Sequence, residues 1–445
     1  MTRSLGGLGV LGQSIAGEAP TATPTVNLAV VFLAVGSGSW LVFLIATFAI
    51  LLVSANIIPF ARRSSAAGSL SDYVGITLGP RWRIITGWML LIAYLTIGIG
   101  ILASCGGYVI SLLDVFGWKP HQALVVLVVG IIASALAVRN IRISTGAMLG
   151  IEIVSICLVL LLCLAVLVRQ GLEVDLSQFT FKGLSVSGMS SALLIGILSF
   201  AGFETAAALG EEAKDPLRTI TKTMLVTPLV TGAFFIFTAY ALVLGFDQYQ
   251  VPVAGSDAPV AELATRMSRP GLGVMISFGA AISLFGCTVA SLVAASRMAM
   301  SLSRLGVLPS FLAKVRTSDS APHNAVIASV VVVVLTSFLF SIRFKPMDVF
   351  DWFATFGTFG TIGAYLLTSI SAPFFLRARG ELRARNVLFA VLAVLILIYV
   401  CIASVYPTPA APFNVLPWLF LVTTGVCAGT SLFVLRRRRS ETGVG

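Results

Sequence analysis

The first apolar stretch of the chain contains the sequence Gly12-Gln-Ser-Ile-Ala-Gly-Glu-Ala-Pro-Thr-Ala-Thr-Pro24. A plain membrane anchor would carry leucines where this stretch carries two prolines, a glutamate and several hydroxyl groups. Proline removes a backbone donor, and its ring clashes with the preceding helical turn. We therefore expect the membrane helix to be interrupted within this stretch.

The sixth apolar stretch has a comparable weak point, Ser199-Phe-Ala-Gly-Phe-Glu-Thr205, in which a glycine stands close to a carboxylate. Paired interruptions in two halves of a membrane protein indicate the binding site of a secondary transporter. The two stretches are five apart, which fits two inverted five-helix repeats. The structural alternative is a proline kink and a packing glycine, because both residues are frequent in membrane helices.

Apolar stretches recur along the whole chain, which has 445 residues, of which 58% are hydrophobic and 11% charged. Soluble domains carry about 25% charged residues, and crossing a bilayer takes about 20 apolar residues. We predict an all-α integral membrane protein with twelve transmembrane helices, of which the first and sixth are broken. The expected spans are about 5–35, 39–60, 84–113, 121–138, 143–168, 188–211, 223–246, 271–296, 322–342, 349–375, 386–406 and 413–435.

These spans predict one transmembrane domain over residues 1–445. Residues 1–168 would form the first five-helix repeat, residues 188–375 the second repeat, and residues 386–435 two additional helices. The polar segment 258–268 is expected to form a short amphipathic helix on the outer surface.

The net charge of +11 raises the question of a nucleic-acid partner, but its distribution argues against one. With the N-terminus inside, most of the 29 Lys and Arg residues fall in the inside segments, which is typical of a membrane protein. We expect a multi-pass protein of the cell (inner or plasma) membrane with both termini cytoplasmic and no cleavable signal peptide. The run Arg436 to Arg439 would anchor the last span or bind anionic lipid.

The six cysteines lie in apolar spans and are interpreted as small hydrophobic residues. Their spacing indicates neither a metal site nor a disulfide framework, so no metal and no cofactor are expected. The oligomeric state stays open.

Several stretches resemble the amino acid–polyamine–organocation superfamily of permeases. The strongest is Gly202-Phe-Glu-Thr-Ala-Ala-Ala-Leu-Gly-Glu-Glu-Ala-Lys-Asp-Pro-Leu-Arg-Thr-Ile220, which is similar to the family signature GFE…EE-x-K-x-P-x-R-x-I. Residues 60–73 are similar to the loop between spans 2 and 3 of the family, and residues 295–309 to the end of span 8. The usual Gly-Ser-Gly motif is absent from span 1, where Gln13-Ser-Ile-Ala-Gly-Glu-Ala-Pro20 stands instead.

This resemblance implies a leucine-transporter-like fold that works by alternating access, with an amino acid or related small amine as substrate. Backbone groups at interrupted helices suit such a substrate, since a half-helix N-terminus attracts a carboxylate and a C-terminus an ammonium group. Tyr94 would line the path, although a core position is the commoner role for tyrosine. The expected substrate-binding residues are Ser14, Ile15, Ala16, Gly17, Phe200, Ala201, Gly202 and Tyr94.

Three carboxylates, Glu18, Glu152 and Glu204, lie within expected spans. An isolated carboxylate in apolar surroundings favours its protonated form, and an ionisable residue inside a membrane is a functional candidate. We therefore expect these three to take part in proton or cation coupling. The resemblance adds Thr288, at the position of a hydroxyl of the family's cation site.

Each carboxylate also has a structural alternative. Glu152 would serve only as a hydrogen-bonding group, Glu204 would hold the interruption in shape, and Glu18 would cap the second half of span 1. Outside the spans, Glu211 and Glu212 are expected to be solvated or to pair with Lys214 or Arg218.

The sequence therefore predicts a proton-coupled amino acid or amine permease. An exchanger without net ion coupling and a sodium-coupled symporter remain alternatives. An enzyme is not expected, because no nucleophile–base pair, metal cluster or phosphate-binding loop is recognisable. A channel is disfavoured because no repeated filter or ring of charges is present.

Overall fold

The computed structural model describes residues 5–64, 68–138, 141–171, 173–180, 184–253, 256, 258–315 and 322–441. The side chains of residues 141–148, 151 and 438–441 are not described. Among the basic residues that support the expected orientation, Arg3, Arg139, Lys182 and Arg316 lie outside the described residues. The orientation of the termini stays a prediction.

The described residues form an all-helical fold, as predicted. In chain order the helices are α1 (Gly7–Glu18), α2 (Leu28–Val35), α3 (Ser39–Ala61), α4 (Ser69–Leu78), α5 (Pro80–Val115), α6 (Gln122–Val138), α7 (Ile141–Arg169), α8 (Val186–Leu198), α9 (Pro216–Gln248), α10 (Pro259–Arg266), α11 (Pro270–Arg304), α12 (His323–Arg343), α13 (Pro346–Arg377), α14 (Ala384–Ala403) and α15 (Leu416–Glu441).

Ten helical stretches within the described residues are long and apolar enough to cross a membrane. The first of them, Gly7–Ala61, contains α1, α2 and α3, and the apolar helix α6 is shorter than the other candidates. A multi-pass membrane protein is thus confirmed, whereas the count of twelve crossings stays a prediction.

Several long helices extend beyond the spans expected from the sequence. For example, residues 271–296 were the expected apolar part of α11, but the helix continues to Arg304. Hydropathy marks only the part of a helix that suits hydrocarbon, while backbone hydrogen bonding continues into polar sequence. Proline at the first position begins α5, α9, α10, α11 and α13, where its missing N–H costs no helical hydrogen bond.

The centre of the fold is formed by α5, which packs closely against α11 and α13. Glycine permits the approach of α13, because a Cβ atom at Gly360 would lie 2.4 Å from the Met89 carbonyl oxygen. Small residues of this kind are typical of contacts between membrane helices. The α5 helix therefore forms a tightly packed centre together with α11 and α13.

The outer helices expose large apolar side chains, including Leu395 on α14 and Val422 and Phe433 on α15, which are 58–67% exposed. Such a surface is unfavourable in water and suits contact with lipid. The amphipathic helix expected at 258–268 is present as α10, where Arg266 pairs with Glu262 one turn earlier at 3.1 Å.

At one end of the bundle, a buried ion pair joins α11 to the segment after span 6. Arg297 Nη2 lies 2.7 Å from Glu212 Oε1, with both side chains at most 6% exposed. Leu5 also pairs with this segment, since its N–H donates to the Glu212 carbonyl and its carbonyl accepts from Lys214 N–H, both at 2.9 Å. The expectation that Glu212 is solvated or pairs with Lys214 or Arg218 was wrong, because α11 buries this carboxylate against Arg297. Glu211 pairs with Arg304 of the same helix at 2.7 Å.

We predict that Arg297→Met lowers the free energy of unfolding by about 3–5 kcal/mol, because it leaves the Glu212 carboxylate buried without its partner. The matched control is Arg304→Met, which removes the more exposed pair between Arg304 and Glu211 and should cost about 0–1 kcal/mol. Chemical denaturation of the purified protein in detergent measures both values. Equal losses below about 1 kcal/mol would show that the buried pair does not stabilise the fold.

Candidate functional site

The first span is interrupted after α1. The helix ends at Glu18, and Ala19 follows with a left-handed backbone at φ 47°. Pro20 explains the stop, because a proline cannot donate the next helical hydrogen bond and disfavours helical geometry in the preceding residue. The chain resumes as a π-helical turn, Thr23–Asn27, that leads into α2.

The residues expected to bind substrate in span 1 lie in the last turns of α1 rather than in the unwound part. Ser14, Ala16 and Gly17 are buried, and Ile15 is half-buried. Their N–H groups lie within the helix, so what they can offer a ligand is the carbonyl groups of a helix C-terminus. The Ala16 carbonyl accepts one hydrogen bond from Ala19 N–H at 3.2 Å and the Gly17 carbonyl accepts one from Cys287 Sγ at 3.1 Å, which leaves each oxygen a second acceptor position.

The sixth span is interrupted where it was expected. Helix α8 ends at Leu198 and a 3₁₀ helix begins at Phe203. Gly202 lies between them at φ 116°, a conformation that suits glycine because it has no Cβ atom. Phe200 is fully buried and packs edge-to-face on Phe235, with ring centroids 5.1 Å apart.

The two interruptions touch each other. A Cβ atom at Gly17 would lie 2.7 Å from the Gly202 carbonyl oxygen, and one at Gly202 would lie 2.2 Å from the Gly17 carbonyl oxygen. Ser14 Oγ donates to the Phe203 carbonyl at 2.8 Å. Backbone from the two halves of the chain therefore meets without an intervening side chain.

The Glu204 carboxylate closes the interruption of span 6. Its Oε2 accepts hydrogen bonds from Gly202 N–H at 3.1 Å and from the Tyr365 hydroxyl at 2.6 Å. Tyr94 is buried and lies near the same carboxylate, although its hydroxyl makes no hydrogen bond of good geometry within the described residues. These hydrogen bonds are those expected if Glu204 holds the interruption in shape. Glu204 also lies at the place where substrate binding was expected, so both interpretations stay open.

Glu18 is the last residue of α1 and is 6% exposed. Neither of its carboxylate oxygens accepts a hydrogen bond of good geometry within the described part of the chain. Its neighbours are Thr231 on α9 and the Glu204 carboxylate. The structure does not show the capping hydrogen bond considered for Glu18, because the carboxylate belongs to the C-terminus of α1.

Glu152 lies on α7 against α11. Its Oε2 accepts a hydrogen bond from Ser283 Oγ at 3.0 Å, while Oε1 has no partner among the described residues. The hydroxyl of Thr288 instead donates to the Leu284 carbonyl of its own helix at 3.0 Å. The structure therefore brings Ser283, and not Thr288, into contact with this carboxylate.

Some contacts at the site were not predicted from the sequence. Cys287 Sγ donates to the Gly17 carbonyl at 3.1 Å, Gln13 Nε2 donates to the Ala290 carbonyl at 3.1 Å, and Tyr365 reaches Glu204 from α13. A thiol in an apolar span carries no sequence signal that separates it from a small core residue. Among the described residues, no cluster of three or more His, Cys, Asp or Glu side chains could hold a metal ion.

Comparisons with known proteins find transporters of similar sequence. An uncharacterised transporter of Mycobacterium tuberculosis is 27% identical over 293 residues, which are 66% of this chain and 64% of the relative. The branched-chain amino acid permease BcaP of Bacillus subtilis is 24% identical, with 65% of each chain covered. The chain thus spans just under two thirds of the length of these relatives, which are transporters and not enzymes.

The fold resembles that of MhsT, solved in complex with L-phenylalanine, with a TM-score of 0.65. The match covers 91% of this chain and 99% of MhsT at 14% identity, so it shows a shared leucine-transporter fold and nothing about the substrate. The family described as amino acid permease matches residues 9–427. Because that match spans nearly the whole sequence, the chain belongs to the amino acid permease family.

Proposed function

We propose that this protein is a secondary active transporter that carries an amino acid or a related small amine across the cell membrane by alternating access. The observation that carries the proposal is the direct contact between two interrupted helices, Gly17 against Gly202, beside buried carboxylates. The similarity to permeases of amino acids supports the substrate class. The termini would be cytoplasmic.

The proposed architecture has twelve membrane helices. Residues 1–168 and 188–375 would be inverted repeats of five helices, and 386–435 would add two more. This arrangement would explain why interruptions occur in the first and sixth spans, since equivalent helices of inverted repeats meet at the centre of the membrane.

Alternating access requires a site that can face either side of the membrane in turn. In the proposed mechanism, the half-helices on each side of the Gly17–Gly202 contact tilt separately, because no continuous helical hydrogen bonding joins them. Substrate would bind to the carbonyl groups at the end of α1 and to the backbone of Phe200, Ala201 and Gly202, with Tyr94 at its side. The contact would open to admit the substrate.

Proton coupling is the proposed energy source, with Glu152 as the first candidate. This carboxylate is buried, accepts one hydrogen bond from Ser283, and forms no ion pair with any described side chain. The charged form of Glu152 therefore has few stabilising partners. Protonation and deprotonation of Glu152 during the transport cycle would change how α7 packs against α11. Exchange without net ion coupling and sodium coupling remain the competing mechanisms, and gradient experiments separate them.

We predict that the purified protein in liposomes accumulates at least one member of a panel of labelled amino acids and amines when an inward proton gradient is imposed. A sodium gradient alone and a proton gradient collapsed by an ionophore are the controls. Uptake that requires a sodium gradient would identify sodium, and not the proton, as the coupling ion. Uptake that occurs only into liposomes preloaded with unlabelled substrate would indicate an exchanger. No uptake or exchange of any panel member would overturn the proposed function.

We predict that Glu152→Gln lowers gradient-driven accumulation at least about tenfold, since a fixed neutral amide cannot carry the proton. Exchange of labelled for unlabelled substrate should be retained, because that reaction needs no net proton movement. Ser283→Ala is the matched control, because it removes the neighbouring hydroxyl and keeps the carboxylate. If the pH dependence of Glu152→Gln equals that of the unaltered protein, Glu152 does not take part in coupling.

A further inference from the structure

The place at the span 6 interruption that would suit a substrate carboxylate is already filled by the protein. Glu204 Oε2 accepts the Gly202 N–H hydrogen bond at 3.1 Å and the Tyr365 hydroxyl hydrogen bond at 2.6 Å. A second carboxylate here would lose this N–H donor and would face the negative charge of Glu204. The interruption of span 6 is therefore a poor site for an anionic group.

The interruption of span 1 is poor in donors as well. Pro20 and Pro24 have no N–H group. Ala22 N–H donates to the Ala19 carbonyl at 2.8 Å, and Thr25 N–H donates to the Thr21 carbonyl at 3.3 Å. Of the backbone groups from residue 20 to residue 25, at most the N–H groups of Thr21 and Thr23 remain for a ligand. The helix N-terminus that would normally attract an anion is weakened by the two prolines.

Hydrogen-bond acceptors, by contrast, are concentrated at the interruption of span 1. Neither oxygen of the buried Glu18 carboxylate accepts a hydrogen bond of good geometry among the described residues, and the neighbouring Thr231 hydroxyl donates to the Thr227 carbonyl at 2.8 Å. Glu18 also stands at the C-terminal end of α1, which carries a partial negative charge that disfavours a carboxylate. A buried anion in this position costs free energy unless a cation or a proton accompanies it. The unpaired oxygens therefore point to a ligand that donates hydrogen bonds and carries positive charge.

Among the side chains that the structure describes, no basic group lies beside Glu18. Arg297, the buried basic residue at the end of this region, is already paired with Glu212 at 2.7 Å. The sequence contains no Lys or Arg in residues 4–61, 84–118, 186–213, 223–265, 270–296 and 346–376. The charged form of Glu18 is therefore balanced by none of the described side chains, and a bound cation or a proton is needed to accompany it.

On this basis we propose that the central site selects a cationic amine that lacks a carboxylate next to its amino group, with Glu18 as the residue that binds the ammonium. This inference rests on the proposed transport function and narrows its substrate class. An ammonium group offers three donors, which match the Glu18 oxygens and the second acceptor positions of the carbonyl groups at the end of α1. A zwitterionic amino acid would bring its own carboxylate close to Glu18 and Glu204, and like charges at short range repel.

The test uses pairs of compounds that differ only in the carboxylate: putrescine and ornithine, cadaverine and lysine, and tyramine and tyrosine. Each is labelled, and binding to the purified protein and uptake into liposomes are measured. We expect at least one amine to bind at least about tenfold more tightly than its amino acid, a difference that corresponds to about 1.4 kcal/mol. This comparison uses the unaltered protein, so it does not depend on the folding of any variant.

Glu18→Gln then identifies the residue responsible. We expect it to weaken amine binding about tenfold or more, because it removes the charge and keeps the size of the side chain. Glu262→Gln, the same substitution on the exposed helix α10, is the matched control and should bind amines as the unaltered protein does. Equal amine affinity in Glu18→Gln and Glu262→Gln would overturn the role of Glu18.

The outcomes separate this inference from the proposed function. Transport of amino acids but not of the matched amines would overturn the inference and leave the proposed function intact. Stabilisation by sodium alone that is lost in Glu18→Gln would also overturn it, because Glu18 would then bind a metal ion. Failure of every compound in both assays would contradict the proposed function itself.

Discussion

The close contact between Gly17 and Gly202 is the constraint on which the rest of the site depends. Each glycine faces the carbonyl oxygen of the other at a distance that a Cβ atom could not tolerate. The contact brings the end of α1 against the turn after α8, so that carbonyl groups, Glu18 and Glu204 share one buried region. Two hydrogen bonds stabilise the contact: Ser14 Oγ donates to the Phe203 carbonyl, and Cys287 Sγ donates to the Gly17 carbonyl.

Two buried carboxylates, Glu212 and Glu18, differ in whether a positive charge lies beside them. The Glu212–Arg297 pair is buried with both charges satisfied, so it acts as a structural tie between α11 and the segment after span 6. Glu18 is equally buried and lacks such a partner. Two carboxylates of similar burial thus differ in what they require, and of the two only Glu18 needs a cation or a proton that the described side chains do not supply. Glu152 is intermediate, with one hydrogen bond and one free oxygen.

The amino-acid sequence predicts the class of fold and the position of both interruptions, because the causes are local. Pro20 stops a helix wherever it occurs, and Gly202 permits a backbone conformation that other residues avoid. The position of the substrate-binding residues in span 1 was less predictable, since α1 stays helical as far as Glu18. Contacts of Ser283, Cys287 and Tyr365 depend on the rotation of helices that are far apart in sequence, and hydropathy does not determine that rotation.

Substrate is proposed to bind where the two interruptions meet. The accessibility of the Cys287 thiol, which lies at this meeting point, tests that location most directly. A variant that keeps Cys287 as its only cysteine would be treated with a small thiol-specific reagent in liposomes, and the rate of modification measured with and without a transported compound. The account predicts slow modification that a saturating transported compound slows further, because the thiol contacts the Gly17 carbonyl. A rate that is unchanged by a compound known to be transported would contradict this location of the site.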